Sequence, residues 1–578
     1  MIRMAKRVCN GVMCFGSRFF GLLLLLIAVA IAISPIKGVC AAQIGRFSDQ
    51  RLKKVIANDG FYNQSFSKPK YNIEARFAPD FITIKCVLDF QVEKGFRGFL
   101  PLMLYEGFEF DSVKYNEEDL QVKYWFRHGQ VKFWRVYLPE LKAGDDVQLF
   151  LIYSGKAPVD QDYLLYAFAQ KWYPQSLGLV DGAITLRCII DQEWEPYFAG
   201  FSTPVVELKE DVKLHEYLVS HPFSLILINK NLRNLWQEGE LRFWANGLPA
   251  AEERLLLQQA ITELNTYYST QIGELSDQSR YYLITDKANT QTMANLYSSI
   301  ISFQGKGEIT AEGSDTGLNE DFLSELAKGL ACAWWGGSVR PGHRGGAALL
   351  TGLYTYNAYL ATKAVFSPEV AAGFIGEWYE TYLLSKQRFL WYEKPLVNIF
   401  PFFDWQQQLA ECKTPLVLHA LSYLTGEEKF LQILKEAYQE YAGSSVSIAD
   451  FQGIAEKVSG LDLVWFFEYF FENSFRLDLE IASCSWEQED QEYRTTVQLL
   501  DPERRFKGQV DVEFQTETET IRERVNFTEN EGIVIVETKE PVQVVRLDPD
   551  AWWPDINREN NLWQNDLSQG STDLSAYH

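Results

Sequence analysis

Three textures follow one another along the chain, and their order limits what it can fold into. From Tyr71 to about Arg242, apolar residues alternate with polar ones or run in short β-branched and aromatic blocks. Examples are "FITIKCVLDFQV", "VKFWRVYLP", "DVQLFLIYSG" and "GAITLRCII", with Gly, Pro and Asp between them. Period-two alternation bounded by turn residues predicts strands, here an antiparallel β domain. From about Phe243 the spacing changes. "PAAEERLLLQQAITELNTYYSTQIG" sets apolar residues three and four apart, the period of a helix with one buried face, and helices are expected as far as about Phe475. From Leu477 to Asp548 the strand texture returns in "TTVQLLD", "GQVDVEFQT", "GIVIVET" and "VQVVRLD". A chain of 578 residues is too long for a single core. The expectation is a multidomain α and β protein: an N-terminal antiparallel β domain over 43–243, a mostly helical domain over 244–476, a C-terminal β sandwich over 477–563 and a disordered polar tail over 564–578.

Residues 1–42 stand apart. They hold Arg3, Lys6, Arg7, Arg18 and Lys37 and no acidic residue. A basic start, an apolar run from Phe19 to Ile33 and the small-residue stretch "GVCAAQ" make the n-region, h-region and cleavage site of a signal peptide. The run is short for a spanning helix, which needs ~20 residues, so a cleaved signal and an uncleaved anchor are the two readings. Cys40 follows Val39 and not a small residue, which argues against a lipoprotein site. Either way the chain is expected outside the cytoplasm, secreted or held at the membrane by this segment alone.

The whole chain carries a net charge of −23, and the basic leader makes the remainder more acidic still. Such a surface repels phosphate backbones, so nucleic acid is not an expected partner. Beyond the leader lie Cys86, Cys188, Cys332, Cys412 and Cys484, widely spaced and without a CxxC pair. Neither a disulfide framework nor a zinc ribbon is indicated. Buried free thiols are expected, with one long-range disulfide left open.

The stretch with most to say about function is "SELAKGLACAWWGGSVRPGHRGGAALLTGLYTY", Ser324 to Tyr356. Phe322, Leu326, Leu330 and Trp334 recur every four residues, one apolar face of a helix opened near Asn319 and closed by Gly336 and Gly337. Lys328 and Cys332 stand one turn apart on another face. A second helix is expected from Ala347 to Thr362, beside the first, and it carries Thr351.

Here the sequence resembles the zinc aminopeptidases of the membrane alanyl aminopeptidase type, a gluzincin family. Their HExxH motif, the aromatic-Gly run after it and a third ligand on the next helix set the frame that "KGLACAWWGG" and "LLTGLYTY" fit. Two side chains at i and i+4 of one helix and a carboxylate from the next complete a zinc site, and the Glu of HExxH is the general base. On this chain the ligand positions fall on Lys328, Cys332 and Thr351, and the base position on Gly329. The scaffold residues Trp334, Trp335, Gly336 and Gly352 are kept. The Tyr that stabilises the oxyanion in the family falls on Glu411 of "ECKTP". The Glu that holds the substrate amine falls, by spacing, on Gln304. "KWYP" at 171–174, the run from Lys413 to Phe471 and "VRLDPDAWWPDINRENNLW" also resemble family landmarks, so the similarity covers about residues 70 to 560. The resemblance implies a thermolysin-like helical domain between the β units, with no catalytic residue at any matched position and no cofactor expected.

Other chemistries find no support. There is no GxSxG elbow, no GxxxxGK[ST] loop and no GxGxxG. Cys332 and His343 are the pair of metal-binding types nearest each other in this region, but Lys328 opposes a cation there and Thr351 is a poor ligand. Cys332 as a nucleophile lacks a His to serve as base. The aromatic runs "WWGG" and "WFFEYFF" read as core. Three readings of function follow. The first is an extracytoplasmic pseudopeptidase, a binding or scaffold protein whose partners are peptides or cell-envelope proteins. The second is a metallo-aminopeptidase with atypical zinc ligands. The third is a hydrolase using another site in the cleft. For the emptied site, Lys328 is expected to approach Glu411 across the cleft, directly or through one water, with Thr351 as a third partner; the alternatives are that it reaches solvent or pairs with Glu325 on its own helix.

Overall fold

The computed structural model describes residues 66–565, less 68, 78–80, 129–130, 157–162, 167–171, 176–182, 192–193, 200–204, 210–211, 220–223, 230–234, 239–240, 245–250, 276–280, 286–292, 295–299, 305–316, 343–344, 389–394, 400–403, 490–491, 503–504 and 529–530. The leader, nearly all of the tail and His343 lie outside the described residues.

The first texture forms strands. Lys70–Phe77 and Asp146–Gly155 bury every second residue, as the alternation requires. They belong to an eight-stranded sheet ordered Val205–Lys209, Val212–Val219, Ala183–Asp191, Lys70–Phe77, Ile82–Gln91, Asp146–Gly155, Phe108–Tyr115 and Glu118–Asp119. One pairing departs from the antiparallel expectation. Lys70–Phe77 runs parallel to Ala183–Asp191, in register from Lys70 opposite Ala183. The long stretch of chain between these two strands makes that possible, since a parallel pair needs a long crossover and a hairpin cannot supply one. Phe96–Tyr105, Val131–Leu141 and Val122–His128 form a second, three-stranded sheet. Trp172 and Tyr173, from the "KWYP" stretch, are buried in the core, and Tyr153 Oη donates to the Trp172 carbonyl at 3.3 Å.

Within the stretch where helices were expected to dominate, a further sheet appears. Leu235–Glu238, Leu241–Trp244, Tyr281–Thr285, Ile300–Gln304 and Met293–Ala294 lie side by side in that order. It takes strands from both sides of Phe243. Tyr281–Thr285 is parallel to both of its neighbours, and parallel strands characteristically lack the alternation by which strands are recognised.

Among the described residues, seven helices of twelve or more residues then carry the chain: α1 Ala251–Gln271, α2 Glu320–Ala331, α3 Gly346–Val365, α4 Pro368–Arg388, α5 Asp404–Thr425, α6 Glu427–Tyr441 and α7 Ile448–Ser459. The hub is α3, against which α1, α2, α4 and α5 all pack. Nearly all of its residues are buried, polar Thr351, Thr355, Asn357 and Thr362 included, which is the pattern of a helix enclosed on every side. The "WFFEYFF" run buries Phe466, Phe467, Tyr469, Phe470 and Phe471 and ends in one π-helical turn, Glu468–Glu472.

Two antiparallel sheets follow: Glu480–Glu489, Glu492–Leu500 and Glu531–Thr538, then Thr520–Asn526, Gln509–Gln515, Val544–Leu547 and Leu562–Gln564. The segment after Leu547 locks them to the helices. Asp548, buried, accepts from the backbone of Trp552 and Trp553 at 2.9 and 3.0 Å and from Arg558 Nη2 at 2.8 Å. Arg558 Nη2 also donates to Tyr379 Oη of α4 at 2.9 Å. On α5, the His419 ring stacks on Trp552 at 4.3 Å, and Tyr423 Oη donates to Asp511 at 2.7 Å. All five cysteines beyond the leader are buried, and none is in a disulfide.

Candidate functional site

The site is assembled by four helices. Asn319 caps α2, its side chain accepting from Phe322 N at 3.1 Å, and Glu320 and Asp321 favour the positive helix start. Leu323, Leu326, Ala327 and Leu330 form the buried stripe, and Tyr268 Oη of α1 donates to the Ala327 carbonyl at 2.9 Å. That fixes the rotation of α2 and sets Lys328 towards α3, α4 and α5. The helix closes at Cys332, a turn before Gly336. Trp334 and Trp335 are fully buried, and Trp334 Nε1 donates to the Gly273 carbonyl at 2.7 Å.

At Gly352 the hub helix α3 meets α5. A Cβ there would stand 2.3 Å from Thr414 Cγ2, so only glycine permits this approach. Pro415, inside α5, lacks the N–H that would bond the Glu411 carbonyl.

Between α2, α3, α4 and α5 lies a cavity of about 140 Å³. Lys328 and Glu411 both line it, so the structure brings these two sequence-predicted positions together. Cys332 is buried beside them and feels the charges of Glu411, Glu325 and Lys328. Thr351 is fully buried on α3, with its hydroxyl beside the Tyr354 phenol. Gly329 is buried in α2 and brings no side chain. Gln304 ends the strand Ile300–Gln304, which packs on α2; its side chain lies outside the described residues.

Lys328 settles its partner locally. Its ammonium pairs with Glu325, three residues back on α2. Glu411 acts on it only from a distance. The local partner wins because helix geometry already holds residues three apart as neighbours, whereas a pair across the cleft must also order a second helix's side chain. Burial alone would lower the lysine pKa, but Glu325, Glu377 and Glu411 outweigh it and hold the ammonium above its ordinary value. Cys332 moves the other way: burial, then Glu411 and Glu325, push its thiol well above the ordinary range.

Zinc needs deprotonated nitrogen, oxygen or sulfur donors. Lys328 is an ammonium without a lone pair, Cys332 is held as a thiol and Thr351 is a hydroxyl. Among the described residues, no group of three His, Cys, Asp or Glu is placed to hold a metal ion. The residues at these positions do not fit the ion. Its burial, which raises the thiol, also argues against Cys332 as a nucleophile, because the thiolate is the reactive form.

Glu377 and Tyr354 are site residues that sequence reasoning missed. Glu377 sits on α4 among the exposed acids Glu369 and Glu380, and its spacing gives no sign of facing Lys328. Tyr354 lies three residues after Thr351, one turn along α3; that periodicity could have found it.

A scan against protein-family models finds no match, and a search of curated proteins finds none. Solved structures give a likeness. The chain is similar to the M1 zinc metallopeptidase from Deinococcus radiodurans, with a TM-score of 0.47 and 15% identity over 71% of this chain and 94% of that one. A point variant of the same enzyme gives a TM-score of 0.47 and 15% identity over 71% and 95%. At that level the likeness is one of general architecture and says nothing of the site.

Proposed function

We propose that this protein is an extracytoplasmic pseudopeptidase: a binding or scaffold protein on an aminopeptidase-like framework, with partners among peptides or cell-envelope proteins. The observation that carries the reading is Lys328. Where the family resemblance puts a zinc ligand, the chain has an ammonium kept charged by Glu325, Glu377 and Glu411. A fixed positive charge there opposes a second cation, and Gly329 offers no proton acceptor for a general base. General-base contributions are typically 10²–10⁴-fold, so an aminopeptidase cycle would lack one of its main terms even with a metal supplied. The reading places the chain outside the cytoplasm through the segment Met1–Ala42, with no nucleic-acid partner.

The test is metal content and peptidase activity measured on one preparation of the protein lacking residues 1–42. The expected result is far less than one zinc per chain and no chelator-sensitive release of amino acids from peptide substrates. One tightly bound zinc per chain, or activity lost to a chelator, would overturn the reading in favour of a metallo-aminopeptidase with atypical ligands. Chelator-resistant hydrolysis would instead favour another site in the cleft.

A further inference from the structure

We propose that the outward face of the sheet Phe96–Tyr105, Val131–Leu141 and Val122–His128 binds an acidic peptide segment. A carboxylate of the peptide sits between Lys123 and Arg135, and the apolar neighbours of that acid rest on Phe99, Trp125 and Tyr137. This face shares no residue with the cleft, so the inference goes beyond the reading above and does not depend on it.

The register builds the face. Leu100, Trp134, Val136 and Leu138 turn one side of the sheet into the core. Strand alternation sends Phe99, Arg135 and Tyr137 the other way, where they are half-buried. Phe99 stands directly opposite Tyr137, and Lys123 directly opposite Arg135. A register shift between Tyr124 and Phe126 lets Trp125 join them, its ring centred 5.4 Å from that of Phe99.

Charge says what the face lacks. Like charges directly across a ladder repel. The same two strands hold a second such pair, Arg127 opposite Lys132, and there Glu106 and Glu109 neutralise both cations. Among the described residues, Lys123 and Arg135 have no carboxylate partner. They rest on rings instead. Lys123 Nζ lies 5.5 Å from the centre of Tyr137, and the Arg135 guanidinium 5.6 and 5.4 Å from those of Phe99 and Trp125. Arg135 Nε is buried without a hydrogen-bond partner. A ring face attracts a guanidinium without satisfying the N–H donors on its edge, whereas a carboxylate accepts from them in pairs.

The same features select the anion. Two cations match one or two carboxylates. A phosphate backbone or an anionic membrane brings many charges towards a chain whose net charge is −23, and is repelled. The rings meet at angles, Phe99 to Trp125 at 80° and Phe99 to Tyr137 at 57°, so they offer no flat platform for a sugar ring. A corrugated aromatic floor beside two cations fits the side chains that flank an Asp or Glu in a peptide.

The experiment is fluorescence polarisation with the protein expressed as the full chain and a labelled, end-capped peptide of alternating glutamate and leucine. Controls are the same peptide with glutamine for glutamate, polygalacturonate as an acidic sugar polymer, and phosphatidylglycerol vesicles. The acidic peptide is expected to bind saturably and more weakly as salt is raised, the glutamine peptide not to bind, and neither polygalacturonate nor the vesicles to displace it. Arg135→Gln and Lys123→Gln are each expected to weaken binding about tenfold. Lys123 is exposed, so its variant keeps the test alive if the half-buried Arg135 variant misfolds. Lys123→Glu sets a carboxylate opposite Arg135; it should abolish binding and raise the melting temperature, because an opposite-charge pair replaces a like-charge one. Equal binding of the glutamine peptide, displacement by polygalacturonate or by vesicles, no saturable binding, binding undiminished in Lys123→Gln, or a melting temperature not raised in Lys123→Glu would each overturn the proposal.

Discussion

Gly352 and Thr414 meet where α3 crosses α5, so closely that a Cβ on Gly352 would stand 2.3 Å from Thr414 Cγ2 and 2.7 Å from Thr414 Cβ. Both residues are buried, and a threonine side chain has no flexible end to swing aside. Gly352→Ala is therefore expected to destabilise the protein by about 1–3 kcal/mol through overpacking, despite the better helix propensity of alanine. Urea unfolding measures it. Thr414→Ala in the same chain should recover most of the loss, because it removes the atoms that clash. A stability unchanged in the single variant, or unrescued in the double, would mean that the helices are held apart at this point.

Lys328 and Glu325 should show the larger coupling of the two pairs once considered for this lysine. Their side chains are 15% and 27% exposed, so the pair is partly screened and about 1–2 kcal/mol is a fair expectation. The measurement is a pair of double-mutant cycles, Lys328→Met with Glu325→Gln and Lys328→Met with Glu411→Gln. A stronger coupling to Glu411 would show that the cleft-spanning pair dominates in solution.

Much of this region was legible in the sequence because its signals are local. The Asn319 cap, the four-residue apolar recurrence and the one-turn spacing of Lys328 and Cys332 are written in consecutive residues, and α2 follows them. The partner of Lys328 was not decided by charge pattern, since Glu325 and Glu411 both satisfy it; helix geometry decided it. Glu377 joins from α4, and nothing in its neighbourhood encodes a contact with a residue so distant in sequence. The strand Tyr281–Thr285 was illegible for another reason, because its parallel neighbours on both sides leave no alternation to read.

The buried cysteines should be unreactive in the folded protein. Cys332 and Cys412 are each 1% exposed, and burial raises the thiols of Cys86, Cys188 and Cys332 far above the ordinary range, with Cys484 pushed up to about 12. Dithionitrobenzoate added to native protein at neutral pH should label these thiols slowly, and addition of denaturant should release five per chain lacking the leader. Rapid native labelling lost in Cys332→Ala would restore the nucleophile reading.

His419 predicts a loss of stability in acid. The ring is 2% exposed, stacked on Trp552 at 4.3 Å, with Nδ1 3.2 Å from Tyr356 Oη. Burial, then the charges of Lys363 and Arg558, lower its pKa to about 3. In the unfolded chain it titrates near 6.5, so between these values the unfolded state binds the extra proton. Stability from this group is thus present above about pH 6.5 and falls as the pH drops towards 3, at up to about 1.4 kcal/mol per unit. Asp555 works against it. Burial raises that carboxyl to about 7, so its contribution is fullest in acid and is lost as the pH rises through about 7. The two slopes oppose each other between pH 4 and 6.5, which is why the wild-type profile alone decides nothing. Urea midpoints at pH 5 and 7.5 should be compared for wild type, His419→Gln and Asp555→Asn. His419→Gln should lose less stability than wild type on acidification, and Asp555→Asn should lose more. An unchanged pH dependence in His419→Gln would show that the ring is protonated in the folded protein, or exposed to solvent, and that its stack on Trp552 does not persist.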